Sequence, residues 1–92
     1  MITKFRHKGL ETFFLTGSTA GIQSAQAKRL RLILTALNQA VSIQDLNLPG
    51  LRLHPLRGDR QGYWAVNVSG NWRVIFQFDD GDVFDVELVD YH

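Results

Sequence analysis

Apolar residues recur with a helical period in the first half of this sequence and with a strand period in the second half. Residues 24–40 predict the longest helix, since apolar side chains follow the i, i+3, i+4, i+7 spacing of one buried stripe. The members of that stripe are Leu30, Ile33, Leu34, Leu37 and Val41. We expect Ser24 to be the N-cap of this helix. A shorter helix is predicted over residues 8–15 and a short strand over residues 2–6.

After Pro49 the apolar period falls to two, which is typical of strands. Four strands are predicted, over residues 51–56, 63–68, 72–78 and 83–89. Short turns separate the last three, and Asp80-Gly81 is a strong hairpin signal because glycine accepts a positive φ. The sequence therefore predicts an α+β fold with two N-terminal helices packed on an antiparallel-dominated sheet of four to five strands. A length of 92 residues predicts one domain, residues 1–92.

Alternation along the predicted strands separates an apolar face of the sheet from a polar face. We expect the apolar face to pack under the helices; it comprises Leu51, Leu53, Trp64, Val66, Val68, Val74, Phe76, Phe78, Phe84, Val86 and Leu88. The polar face comprises Arg52, His54, Tyr63, Asn67, Arg73, Gln77, Asp85 and Glu87. An antiparallel sheet can leave one face to water, so a polar face is structurally permitted. This one nevertheless places a histidine and two arginines on the same side.

Charge and cysteine content narrow the function classes. Residues 1–73 hold all ten Lys and Arg residues against three acids, whereas residues 74–92 hold six acids and no base, so the net charge of +1 hides a separation. The basic part can attract a polyanion, or its charges can pair with the acids within the fold. The absence of cysteine excludes disulfides and thiolate chemistry. No apolar run is long enough for a membrane span and the N-terminus does not resemble a signal peptide, so we expect a cytoplasmic protein.

The residues best suited to chemistry are His54, Arg73 and the C-terminal Asp90-Tyr91-His92. Imidazole titrates near neutrality, so His54 can be a general acid or base, although a structural histidine also fits its position. Arg73 can hold two phosphate oxygens with its planar guanidinium, or it can pair with Asp85 or Glu87 across the strands. The tripeptide groups a carboxylate, a phenol and an imidazole at the end of a strand, unless this tail frays.

Further basic and polar residues are candidates for phosphate contacts. Arg57 and Arg60 follow the His54 strand, where they can bind flanking phosphates or remain solvated charges of a turn. Arg52 shares the polar face, and Asn71 lies in a turn, where it also suits a turn former. A zinc site built from the three histidines matches no local ligand spacing, so neither a metal nor a cofactor is expected.

Several short motifs, in this order and spacing, resemble the HigB toxins of bacterial toxin–antitoxin pairs, a branch of the RelE/ParE superfamily. The motifs are Phe5-Arg6-His7-Lys8-Gly9-Leu10, Gly21-Ile22, Leu48-Pro49-Gly50-Leu51-Arg52-Leu53-His54-Pro55-Leu56, Gly70-Asn71-Trp72-Arg73-Val74, Phe78-Asp79-Asp80-Gly81-Asp82 and Val89-Asp90-Tyr91-His92. Each motif is weak alone, but together they run nearly from end to end of the chain.

The resemblance implies a RelE-like fold and an endoribonuclease that cleaves messenger RNA at the decoding site of the ribosome. It matches the family's active-site positions to His54, Asp90, Tyr91 and His92, and it matches Arg73 to the basic residue of the family's Asn-Trp-Arg strand; all five are the expected catalytic residues. Contacts to RNA are then expected from Arg52, Arg57, Arg60 and Asn71, and relatives often carry lysine where this chain has Arg57. The partner implied is a HigA-like helix-turn-helix antitoxin, with which the toxin represses its own operon, touching operator DNA only through the antitoxin.

The expected reaction is metal-free cleavage in which the 2′-OH of the RNA is the nucleophile. Asp90 or His92 would be the base or orient it, Arg73 would stabilise the phosphorane, and His54 or His92 would protonate the leaving group. Tyr91 would stack on a base or orient it. Three alternatives remain at this point: a non-catalytic ParE-like toxin that inhibits gyrase, an operon co-repressor without nuclease activity, and an inactive relative.

Overall fold

The computed structural model describes residues 1–91, which form two α-helices followed by a four-stranded sheet. The elements are α1 (Lys8–Thr16), α2 (Ala27–Gln39), β1 (His54–Pro55), β2 (Trp64–Ser69), β3 (Trp72–Asp79) and β4 (Asp82–Asp90). Each strand pairs antiparallel with the next, in the order β1-β2-β3-β4. The predicted α+β fold is confirmed. Within residues 1–91, neither helix has the length and apolar character that crossing a membrane requires.

The stripe of α2 forms the centre of the core between the helices and the sheet. Its members Leu30, Ile33, Leu34 and Leu37 are at most 1% exposed, as predicted. Val41 is exposed, because α2 ends at Gln39 and Ala40 has an extended backbone, so the helical period no longer applies there. Ser24 begins a 3₁₀ turn and does not cap α2, whose N-cap position is Gln26. The predictions for Val41 and Ser24 are therefore wrong.

The N-terminal segment runs parallel to β4 and contacts it through two isolated bridges, at Ile2 and Phe5. The prediction of a strand over residues 2–6 is wrong, because no continuous ladder forms. The reason lies in β4, where Asp85 adopts a φ of 53° and the register against β3 shifts. A bulge of this kind bends the strand, and it falls between the two bridges.

The same bulge changes which residues of β4 face the helices. Val83 lies opposite Phe78 and is fully buried, whereas Phe84 lies opposite Gln77 on the other face of the sheet. The prediction that Phe84 belongs to the apolar face is therefore wrong, because an inserted residue inverts the alternation on one side of it.

β1 is much shorter than the strand predicted over residues 51–56. Arg52 has a φ of 53°, a left-handed conformation that an L residue in a strand does not adopt. Pairing with β2 therefore begins only at His54. Leu51 is nevertheless a core residue, as predicted: it is 1% exposed, and its carbonyl accepts a hydrogen bond of 2.8 Å from the Asn67 amide.

The second face of the sheet, which the sequence predicts to be polar, is covered at its centre. Ala65 and Ile75 face this side, are 0% exposed and lie outside the helix-side core. Arg60, in the loop between β1 and β2, lies 3.8 Å from the Glu87 carboxylate on β4. Because β2 and β3 lie between β1 and β4, the loop that carries Arg60 must lie over this face of the sheet.

Candidate active site

His54 begins β1 and is half-buried on the second face of the sheet. Its Nδ1 lies 2.8 Å from the carbonyl oxygen of Arg52. A carbonyl only accepts hydrogen bonds, so the neutral imidazole must carry its proton on Nδ1 and keep a lone pair on Nε2. The left-handed backbone of Arg52 directs this carbonyl at the ring, so the tautomer of His54 depends on the strained conformation of Arg52.

Arg73 lies on the same face as His54, as predicted. It pairs with Asn67 while His54 pairs with Ala65, and these two partners share one face of β2. With strands about 4.8 Å apart and two residues spanning about 6.6 Å, the Cα atoms of His54 and Arg73 are about 12 Å apart.

The Arg73 guanidinium folds over the turn between β2 and β3. Its Nη1 donates to the carbonyls of Gly70, at 2.8 Å, and of Trp72, at 3.0 Å. The alternative of a cross-strand ion pair is wrong, since Asp85 and Glu87 pair with other cations. A guanidinium has five N–H donors, so the fork retains donors for phosphate oxygens.

β4 carries the C-terminal tail to that same turn. The strand extends through Asp90, which pairs with Trp72, and the amide of Tyr91 donates to the carbonyl of Asn71 at 2.8 Å. The chain therefore stays tied to the sheet as far as Tyr91. His92 lies outside the described residues, so every assignment made for it stays a prediction.

Asp90 and Tyr91 lie on different sides of the sheet. Asp90 is on the helix side, where it lines an open cleft of about 540 Å³ together with Gln23 and Gln26. Alternation places Tyr91, which is 37% exposed, on the His54 side. The assignment of Asp90 and Tyr91 to one site with His54 stays a prediction, and in such a site the Asp90 carboxylate would be approached from the helix side of the strand end.

The predicted RNA contacts differ in how free their side chains are. Three of them are exposed, namely Arg52, Arg57 and Asn71. Arg60 lies 3.8 Å from Glu87 Oε2, and Arg6 lies 4.0 Å from the same oxygen. The Glu87 carboxylate thus partly neutralises two arginines. Arg60 is paired with it, so the alternative that Arg60 is a solvated charge of a turn is wrong.

Two polar residues that the sequence did not single out connect the helix layer to this region. Arg29 on α2 donates from Nη2 to the carbonyls of Gly50, at 2.7 Å, and of Asn67, at 3.0 Å. Gln26 is 5% exposed and donates from Nε2 to the Ser69 hydroxyl at 3.1 Å. The sequence offers one signal for Arg29: it lies one helical turn before Ile33, a member of the buried stripe, and so on the side of α2 that faces the sheet.

Similarity to known proteins extends over nearly the whole chain. The sequence model of the family described as RelE-like toxin of type II toxin-antitoxin system HigB matches residues 3–92. The chain is 44% identical over 92 residues to the endoribonuclease HigB of Proteus vulgaris, with 100% of both chains covered. It is 30% identical over 87 residues to toxin HigB-1 of Vibrio cholerae serotype O1, covering 88% of this chain and 87% of that relative.

The fold is similar to that of solved toxin structures. A chain in the YoeB–YefM toxin–antitoxin complex from Staphylococcus aureus superposes with a TM-score of 0.64 and 14% identity, covering 100% of this chain and 95% of that chain. At this identity the likeness concerns the fold alone. The RelE-like fold expected from the sequence motifs is therefore confirmed.

Proposed function

The chain belongs to the RelE-like HigB family of toxins from type II toxin–antitoxin systems, and on that premise we propose that it is an endoribonuclease that cleaves messenger RNA on the ribosome. The observation that carries the proposal is full-length identity of 44% to an endoribonuclease. The geometry supports it, since His54 and Arg73, an acid–base group and a phosphate-binding group, share one face of the sheet.

In the proposed mechanism, the 2′-OH of the RNA attacks the adjacent phosphorus and the 5′-oxygen leaves. The step requires a proton acceptor, stabilisation of the phosphorane charge and a proton donor. His54 exchanges protons through Nε2 alone, because its Nδ1 is bonded to the Arg52 carbonyl. The planar fork of Arg73 binds the phosphorane oxygens from the same face. These roles need no metal ion.

The tail completes the proposed site. Tyr91 lies on the His54 side, where its ring can stack on an unstacked base or orient it. Asp90 acts from the helix side as an orienting carboxylate, and its position makes it less suited than an imidazole to take the 2′-OH proton directly. His92 supplies the second imidazole, a role that rests on the family resemblance.

Ribosome dependence has support in the charges of the second face. Lys4 pairs with Asp85 at 3.7 Å, and Glu87 lies within 4.0 Å of both Arg6 and Arg60, so acids offset several of the cations on this side. Affinity for free RNA grows with the number of phosphates neutralised, so a face offset in this way binds free RNA weakly. An enzyme of this kind gains its substrate when the ribosome presents the message at the decoding site.

As a toxin of a type II toxin–antitoxin system, the protein has an antitoxin partner. We propose that this partner is a HigA-like helix-turn-helix protein, that the pair represses its own operon, and that operator DNA is bound only through the antitoxin. A gel-shift assay tests the last point: operator DNA should shift with the complex and not with the toxin alone.

The experiment that tests the function compares cleavage of one message free in solution and bound to programmed ribosomes. Cleavage mapped by primer extension should be about 100-fold faster or more on ribosomes, and equal rates would remove ribosome dependence. Cleavage should also persist after chelation once ribosome integrity is controlled for. Growth arrest with intact messages and inhibited DNA supercoiling would instead favour the gyrase-directed alternative.

A further inference from the structure

Arg29 connects helix α2 to the segment that leads into His54. The residue is half-buried, and its Nη2 donates to two backbone carbonyls at once, that of Gly50 at 2.7 Å and that of Asn67 at 3.0 Å. Gly50 begins the segment before β1, and Asn67 lies in β2 opposite Arg73. One guanidinium therefore joins a helix, a loop and a strand.

The segment from Gly50 to His54 is fixed at each step. The Leu51 side chain is buried, and its carbonyl accepts from the Asn67 amide. Arg52 is held in the left-handed region, and its carbonyl accepts the Nδ1 proton of His54. The Arg29 contact is the only one of these bonds that comes from a side chain of the helix layer, among the hydrogen bonds of residues 1–91. Arg29 therefore holds the N-terminal end of this segment, at Gly50, two residues before the strained backbone of Arg52.

Packing alone does not explain why Arg29 is partly buried. Its Nε is buried and has no hydrogen-bond partner within the described part of the chain. A buried polar atom without a partner lowers stability. An unsatisfied group of this kind calls for an explanation other than packing.

We propose that Arg29 is a positioning residue for His54: by holding the Gly50 carbonyl it keeps the Arg52 carbonyl on Nδ1, which leaves Nε2 as the only site of proton transfer. The same guanidinium holds the Asn67 carbonyl, so the strand partner of Arg73 is fixed with it. The inference rests on the proposed function, because it assumes that His54 moves a proton during RNA cleavage.

The test combines a spectroscopic readout with kinetics in Arg29→Met and Arg29→Lys. The matched control is Arg31→Met, two residues along the same helix, where the guanidinium is exposed and lies 5.3 Å from the centre of the Phe13 ring. Long-range ¹H–¹⁵N spectra of the imidazoles report the tautomer of each histidine. His7 is an internal reference, since its Nδ1 accepts from the Leu10 amide at 3.0 Å and its neutral ring must carry the proton on Nε2.

The wild-type protein should show His54 as the Nδ1–H tautomer and His7 as the Nε2–H tautomer. In Arg29→Met, His54 should become a mixture of both tautomers while His7 stays unchanged. The maximal cleavage rate should fall by about 10–100-fold, with the half-saturating ribosome concentration changed by less than about 2-fold. Arg29→Lys, which can reach one carbonyl but has no planar fork, should lie between, and Arg31→Met should match the wild type.

A single Nδ1–H tautomer of His54 in Arg29→Met, or a rate loss that follows only the unfolded fraction, would overturn the positioning role. If Arg29→Met does not fold, Arg29→Lys decides the question with the same spectra. A wild-type protein that cuts no RNA would overturn the proposed function. The tautomer spectra would still show whether Arg29 controls His54, so the two failures are distinguishable.

Discussion

Replacement of Arg73 with methionine separates what this guanidinium contributes to folding from what it contributes to cleavage. Its two bonds, to the carbonyls of Gly70 and Trp72, are exposed or only part-buried and stabilise the fold by about 1 kcal/mol each. For a domain of this size, that loss lowers the melting temperature by about 4–8 °C per kcal/mol. Starting from a stability of at least about 5 kcal/mol, the variant remains more than about 99% folded.

The expected loss of cleavage is much larger than this. Removal of one group that stabilises developing charge slows an enzyme by about 10²–10³-fold, which corresponds to about 2.7–4 kcal/mol. Arg73→Lys keeps the charge without the planar fork and should lie between the wild type and Arg73→Met. Single-turnover cleavage of programmed ribosomes and thermal unfolding of the same preparations measure both effects. A folded Arg73→Met variant that cleaves within about threefold of the wild-type rate would refute the assignment.

Three further predictions concern the tail, an acid and a close glycine contact. His92→Ala should abolish growth arrest and cleavage with an unchanged melting temperature, and full toxicity of this variant would exclude the tail from the site. Two backbone N–H groups hold the pKa of Asp45 below its usual value of 3.8, so its stabilising effect is complete above that value and is lost as the pH falls through the lower, folded-state pKa. Asp45→Asn should therefore lower the melting temperature at neutral pH, and the melting temperature of the variant should fall less steeply than that of the wild type below about pH 4. An equally steep fall below about pH 4 would contradict this. A Cβ on Gly9 would overlap the backbone carbonyl of Gly21, so Gly9→Ala should destabilise the fold by about 1–3 kcal/mol in a denaturant titration, while Lys8→Ala at the neighbouring exposed position should not.

The fold could be predicted where periodicity extends over many residues. The stripe of α2 and the three long strands satisfy this condition, because several consecutive positions carry the same information. The predictions were wrong around Arg52 and Asp85, which both have left-handed backbones. At Arg52 this conformation delays the start of β1 to His54, and at Asp85 it accompanies one extra residue in β4. Local propensity does not predict either conformation: arginine rarely adopts this region, and aspartate, which adopts it more often, does so mainly in turns and not within a strand.

The candidate site divides in the same way. Strand parity alone placed His54 and Arg73 on one face, and the register of β1 to β3 confirms that placement. The separation of Asp90 from Tyr91 follows from the same alternation, once β4 is known to continue through Asp90. The tautomer of His54 could not be predicted, because it depends on a carbonyl whose direction is set by the backbone of Arg52.

The most direct measurement uses a ribosome-bound message that carries 2′-deoxyribose at the nucleotide where the all-ribose message is cut. Because the proposed nucleophile is the 2′-OH of that nucleotide, the substituted message should stay intact there, and the all-ribose message should yield a 2′,3′-cyclic phosphate. Cleavage of the substituted message at the same position and rate, leaving a 3′-hydroxyl, would contradict the proposed mechanism.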